Sequence, residues 1–309
     1  MFSRQLVRLA LVTTVGSVWL KRKMASSSSS PVLPTYKHSS SARLESPALS
    51  AAAITDSVLA TGNWFGTIGL TGPDSQQTLQ QVRAVLSIAK MTDTLFATSE
   101  QSRIHVWDHQ REVLEFGPEQ SGTISDMVGF SNGLLAVVRW GSEAVQIWDC
   151  HSGCLKWSLT GHTDDVKHLA KLSQNRLASY AWDHKIRIWN LDTGECERVI
   201  HSGYSGALTA LPDDRLITTD IKGIAVWADG ECVKHIAMPD LPWKPSLAVT
   251  PDGQLLVTAF KTAFRAVDLE TEDVKDVYSF MMPDDLVCMP DGRVYTFGPG
   301  CDMSCFRPC

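Results

Sequence analysis

The stretch GHTDDVKHLAKLSQNRLASYAWDHKIRIWN, residues 161 to 190, decides the fold. Short apolar runs, Leu177-Ala178 and Ile186-Arg187-Ile188-Trp189, stand on either side of a polar turn and are too short for helices. Its closing motif recurs along the chain. Ile104-His105-Val106-Trp107-Asp108, Val145-Gln146-Ile147-Trp148-Asp149 and Ile224-Ala225-Val226-Trp227 repeat it clearly. Thr67-Ile68-Gly69-Leu70, Phe264-Arg265-Ala266-Val267-Asp268 and Ser304-Cys305-Phe306 repeat it weakly.

The period is about 40 residues, that of a four-stranded β-propeller blade. Between the first two strands of several units lie hairpin turns: Ser131-Asn132-Gly133, Pro212-Asp213-Asp214, Pro251-Asp252-Gly253 and Pro290-Asp291-Gly292. No long amphipathic helical pattern competes with them. The expected fold is all-β, a seven-bladed propeller of four-stranded antiparallel blades. In residues 161–190 the order Gly161-His162, Leu177-Ala178-Ser179, Asp183 and Trp189 resembles a WD40 repeat. Only this unit carries the whole pattern. The first and last blades are degenerate, with Thr71 and Phe306 where the tryptophan belongs, and blade six has Val267 there.

Ending at Cys309, the chain stops short of a fourth strand for the last blade. In propellers of this kind an N-terminal strand fills that place and removes two open edges. Ala42 to Leu49 is the expected closing strand, which divides the chain into a disordered or targeting segment, 1–41, and a propeller, 42–309.

With 44% hydrophobic residues, the chain can bury one large core. Its net charge is −6, yet residues 1 to 43 hold seven lysines and arginines and no acid. Subtracting those seven charges leaves −13 for residues 44–309. A nucleic-acid partner is not expected, because phosphate binding needs clustered lysine and arginine. The apolar stretch Leu9 to Leu20 is too short for a stable membrane span, and Lys21-Arg22-Lys23 is wrong for a signal-peptidase site. The expected location is cytoplasmic; the early arginines suit a mitochondrial presequence as the alternative, and Met24 is the other candidate start.

The WD40 resemblance implies a structural tetrad at His162, Ser179, Asp183 and Trp189. Asp183 orients His162, His162 meets Ser179, and the Trp189 indole donates to the same hydroxyl. These are also the residue types of a hydrolase triad, but a buried network has no room for substrate. No catalytic residues are assigned, and no cofactor is expected. Cys301, Cys305 and Cys309 with Cys288 suggest a metal, but residues four apart on a strand lie about 13 Å from one another, so no metal site is expected either.

Aligning the turn between second and third strands places Trp64, Trp140 and Trp182 at equivalent positions. Phe260 falls near the same ring, Trp243 lies in a loop opening onto the same face, and Arg139 precedes Trp140. Tryptophans are enriched in binding hot spots. The expected function is therefore a non-enzymatic scaffold that binds a protein or peptide on an aromatic top face.

Two alternatives stand beside it. Trp227-Ala228-Asp229-Gly230-Glu231-Cys232, running on to Trp243, resembles a blade junction in the phospholipase-activating-protein family, whose propeller binds ubiquitin. A ubiquitin-ligase substrate receptor would carry Trp-Asp-x-Arg, whereas Trp107-Asp108 meets its arginine one place late, at Arg111. A small-molecule or metal-dependent enzymatic propeller would need polar groups converging on the channel. His105, His151, His168 and Asp220 are scattered instead.

Overall fold

Seven sheets each have four antiparallel strands, in sequential order in six and with an N-terminal strand as the outermost member of the seventh. The computed structural model describes residues 35–44, 47–72, 75–117, 122–238, 240–259, 262, 264–278, 283, 285–298 and 302–308. Among the described residues there is no helix. Blade one runs Ala48–Ala53, Leu59–Asn63, Thr67–Thr71 and Gln76–Gln80 from the axis outward. Blade four runs Val166–Leu172, Arg176–Ala181, Lys185–Asn190 and Cys196–His201. The innermost strand of every blade touches those of its two neighbours, and the ring closes.

Side-chain alternation along the strands explains how the ring holds. Successive residues on a strand point to opposite faces, and each blade face abuts a different neighbour. In blade four, Leu177, Ala181 and Trp189 pack toward blade three, while Ala178, Tyr180, Ile186 and Ile188 pack toward blade five. Seven apolar clusters result, one for each blade interface. The middle strands are therefore buried on both sides and read as continuous apolar runs rather than as alternation. Weak blades satisfy the same demand: Val267 is fully buried and Phe306 is 1% exposed at the tryptophan position.

Turn chemistry sets the hairpins. Gly133 and Gly253 adopt φ of 84° and 88°, a left-handed conformation open to glycine. In blade five the same place is held by Asp214 at φ 67°, whose carboxylate pairs with Arg176 at 2.6 Å.

The closing strand is not the one the sequence suggested. It is Tyr36–Arg43, paired antiparallel with Asp302–Pro308 from Tyr36 opposite Pro308 to Arg43 opposite Asp302. Ala48 and Leu49 belong instead to the innermost strand of blade one, so ordered sheet begins before residue 42. The physical reason is position in the blade. An outermost strand faces solvent and tolerates Lys37-His38-Ser39-Ser40-Ser41, whereas the crowded axis selects the small residues of Ala48–Ala53. Tyr36 fixes the closure by packing edge-on against Phe264, ring centroids 5.3 Å apart, and His38 meets Phe306 at 5.5 Å.

A chain starting at Leu44 leaves Asp302–Pro308 as an unpaired edge, which invites pairing with another molecule. Its melting temperature is expected to fall by roughly 5–10 °C, the shift that about 3 kcal/mol produces in a domain of this size. Light scattering should show self-association. An unaltered, monomeric melt would show that closure contributes little.

Candidate functional site

Blade four brings His162, Ser179, Asp183 and Trp189 into one network. His162 Nδ1 lies 3.0 Å from Asp183, His162 Nε2 lies 2.8 Å from Ser179 Oγ, and Trp189 Nε1 donates to that oxygen at 2.8 Å. Burial pushes the His162 imidazole below its usual range. Burial alone would raise Asp183, but hydrogen bonds from His162 and the Thr163 and Lys185 amides outweigh it and hold the carboxyl low. Ser179 is fully buried and His162 is 4% exposed, so no substrate carbonyl can reach the hydroxyl.

Two other blades keep part of this network without Gly-His. In blade two Trp107 Nε1 donates to Thr98 Oγ1 at 2.8 Å, and Thr98 donates to Gln81 at 2.8 Å. In blade five Trp227 donates to Thr218 at 2.8 Å. The sequence signal was present, because Thr98 and Thr218 sit two positions into strands that pair with the Trp strands. Matching only serine hides it.

Trp64, Trp140 and Trp182 each follow directly on the second strand of their blade and are 61%, 58% and 51% exposed. Trp140 and Trp182 form a pair through a residue the sequence reading passed over. Lys167 Nζ lies 4.3 Å from the Trp140 ring centroid and 4.0 Å from that of Trp182, and 3.2 Å from Asp165. Its side chain is only 9% exposed. A cation over two indole faces is attracted by both ring quadrupoles, so one ammonium links the two rings. Trp64 stands apart on blade one beside Phe65, itself exposed. Trp243 is exposed and tilted against Tyr204 at 5.3 Å. Arg139 ends the strand before Trp140. Phe260 lies outside the described residues.

Blade five presents Ile221, 75% exposed, at the Trp182 position, which the turn alignment also reaches. Phe65 follows Trp64 in the sequence and could have been read with it. Lys167 had no such signal, since its place between two rings depends on the contact of blades three and four.

Near the aromatic pair the channel opens into a cavity of about 630 Å³, with Ser50, Asp126, Lys167, His168, Lys244 and Asp285 among its walls. Burial raises Asp126 to about 6 against the Leu169 and Met127 amides that donate to it. Burial, then Lys244 and Lys167, lowers His168 to about 4. Of the four polar residues weighed for a channel site, only His168 is here. Asp220 caps the Lys222 and Gly223 amides, His151 is exposed at a hairpin, and His105 lies on blade two. Cys305 is on a strand and buried; Cys301 and Cys309 lie outside the described residues.

Residues 153–190 match the family model WD40: WD domain, G-beta repeat. The WD40 beta propeller domain of Doa1 superposes with a TM-score of 0.69 over 88% of this chain and 96% of that one, at 15% identity. The fold is that of a WD40 β-propeller. Among curated relatives, autophagy-related protein 16 of Arabidopsis thaliana is 30% identical over 110 residues, 35% of this chain and 22% of that protein. Telomerase protein component 1 of Mus musculus is 24% identical over 202 residues, 60% of the chain and 8% of that protein. The WD repeat-containing protein WDS homolog of Arabidopsis thaliana is 28% identical over 160 residues, 44% and 30%. The matches span less than a third of the length of these relatives.

The first prediction separates core from surface. Trp189→Ala should cost about 3–5 kcal/mol as a large-to-small core change, whereas Trp182→Ala should cost well under half of that; urea midpoints for the two variants check it. The second concerns acid. His168 titrates at 6.5 in an unfolded reference and about 4 in the fold, so acid protonates the unfolded chain first and stability falls between those values. Asp126 acts oppositely, its contribution being lost as the pH rises through about 6. His168→Gln is therefore expected to remove on the order of 3 kcal/mol of the loss between pH 7 and pH 4. Urea unfolding at both pH values measures it, and an unchanged acid loss would refute it.

Proposed function

We propose that this protein is a non-enzymatic interaction scaffold whose top face, the one carrying the second-to-third-strand turns, binds a peptide or a folded protein. The observation that supports the reading is the Trp140 and Trp182 pair, both exposed and both oriented by Lys167. Aromatic side chains held in place before binding lose little rotamer entropy on contact, which is how a few residues come to dominate an interface. Trp64, Phe65, Ile221 and Trp243 extend the exposed apolar rim, with Arg139 and Lys244 as polar neighbours. The WD-repeat relatives agree with a scaffold. The buried state of Ser179 and His162 argues against hydrolysis there.

Ubiquitin is the first defined partner to test. The reason is local: the blade-junction resemblance ends at Trp243, and that residue is 76% exposed against Tyr204.

Affinity capture from cells, comparing wild type with a folded Trp140→Ala, Trp182→Ala double variant, tests the main reading. Partners are expected to be lost from the variant at least tenfold. A partner set that survives intact would assign the two rings to packing alone. Titration of labelled ubiquitin, with shifts that vanish on Trp243→Ala, tests the second reading; no shifts at millimolar protein would end it.

A further inference from the structure

We propose that the outer half of blade two carries a divalent-metal site built from His105, Glu112 and Glu115. It does not depend on the top-face reading. Blade two pairs Phe96–Glu100 with Arg103–Trp107, and Arg103–Trp107 with Glu112–Phe116. His105 stands opposite Thr98 on one side and Glu115 on the other, Glu100 opposite Arg103, and Glu112 opposite Trp107. Side chains alternate, and the register shift between Val106 and Trp107 absorbs one residue of the outer strand, so Glu112 and Glu115, three apart, share the face of Glu100 and His105.

The ligand atoms are already gathered. One atom from each of His105, Glu112 and Glu115 lies within 4.8 Å of the others. His105 is 5% exposed, and its Nδ1 is 2.9 Å from Glu112 Oε1. Its Nε2 is buried with no hydrogen-bond partner, 3.4 Å from Glu100 Oε2. The carboxylate placed beside the nitrogen that faces away from Glu112 is the second observation. A histidine that ligates a metal through one nitrogen commonly donates from the other to a carboxylate, which fixes the tautomer. With the metal on Nδ1, Nε2 carries the proton and Glu100 accepts it.

Charge points the same way. Arg103 holds Glu115 at 2.7 Å and Arg83 approaches Glu100 at 3.6 Å, whereas among the described residues the ion-pair partner of Glu112 is the imidazole alone. A divalent cation would neutralise that carboxylate. One imidazole and two carboxylates form a nitrogen–oxygen set that suits Zn²⁺, whose bonds of about 2.0–2.2 Å place tetrahedral ligands about 3.3 Å apart. Glu112 and Glu115 are exposed enough to admit the ion and leave its fourth position to water. A bound ion would tie the third strand of blade two to its outermost strand beside Trp107, whose ring lies 6.4 Å from that of His105.

Isothermal titration of the full chain with Zn²⁺ alone tests the site. One equivalent is expected to bind, with affinity reduced at least tenfold in Glu112→Gln and abolished in His105→Ala. Glu112 is partly exposed, so its variant keeps the test valid if His105→Ala fails to fold. Co²⁺ should give visible d–d absorption without the near-ultraviolet thiolate band that cysteine ligands would produce. No binding at micromolar protein overturns the proposal. So does binding that is unchanged in Glu112→Gln, or a thiolate band, either of which would assign the metal elsewhere.

Discussion

The middle strands of the described blades depend on burial at both faces. A four-stranded sheet with apolar residues on each side is insoluble alone, and only a neighbour on each flank covers it. The seven clusters, each shared by two adjacent blades, are that cover. A linear stack would leave two faces exposed. Closing the ring removes both, and the pairing of Tyr36–Arg43 with Asp302–Pro308 completes the last blade from the two ends of the described chain.

The same constraint explains why the repeats are free to degenerate. Stability in a repeat architecture is a sum over neighbouring interfaces, so a blade needs apolar volume at its flanks more than it needs a particular motif. Blade four carries the full hydrogen-bonded network, blades two and five keep the tryptophan and a threonine hydroxyl, and blades six and seven put Val267 and Phe306 in the slot. Blade three shows the cost side: the Trp148 indole nitrogen is buried without a partner, though the ring still packs against Phe116.

With the flanks committed to packing, exposed aromatic side chains stand at the turns. In blades one, three, four and five the residue after the second strand is Trp64, Trp140, Trp182 and Ile221 respectively, and each stands exposed. Lys167 links two of them, Trp140 and Trp182. It comes from the innermost strand of blade four yet stacks on a ring of blade three as well as of its own blade, so the rim geometry is coupled to the contact of two blades.

Much of this was legible in the chain itself. The recurring Trp107, Trp148, Trp189 and Trp227 strand ends gave the period, hairpin turns such as Ser131-Asn132-Gly133 gave the strand breaks, and turn alignment located the exposed tryptophans. Those features are local, set by side-chain period and backbone dihedral preference. The closing strand was not legible, because an outermost strand has no apolar pattern to betray it and Tyr36–Arg43 reads as a polar tail. Nor were Lys167 between its two rings, Asp126 and His168 facing one cavity, or Glu100, His105, Glu112 and Glu115 on one face of blade two. Those neighbours depend on strand register and on the contact of separate blades, and sequence spacing carries no record of either. The chain alone therefore determined that it would fold into repeated blades; the tertiary structure decided which polar side chains meet once the ring has closed.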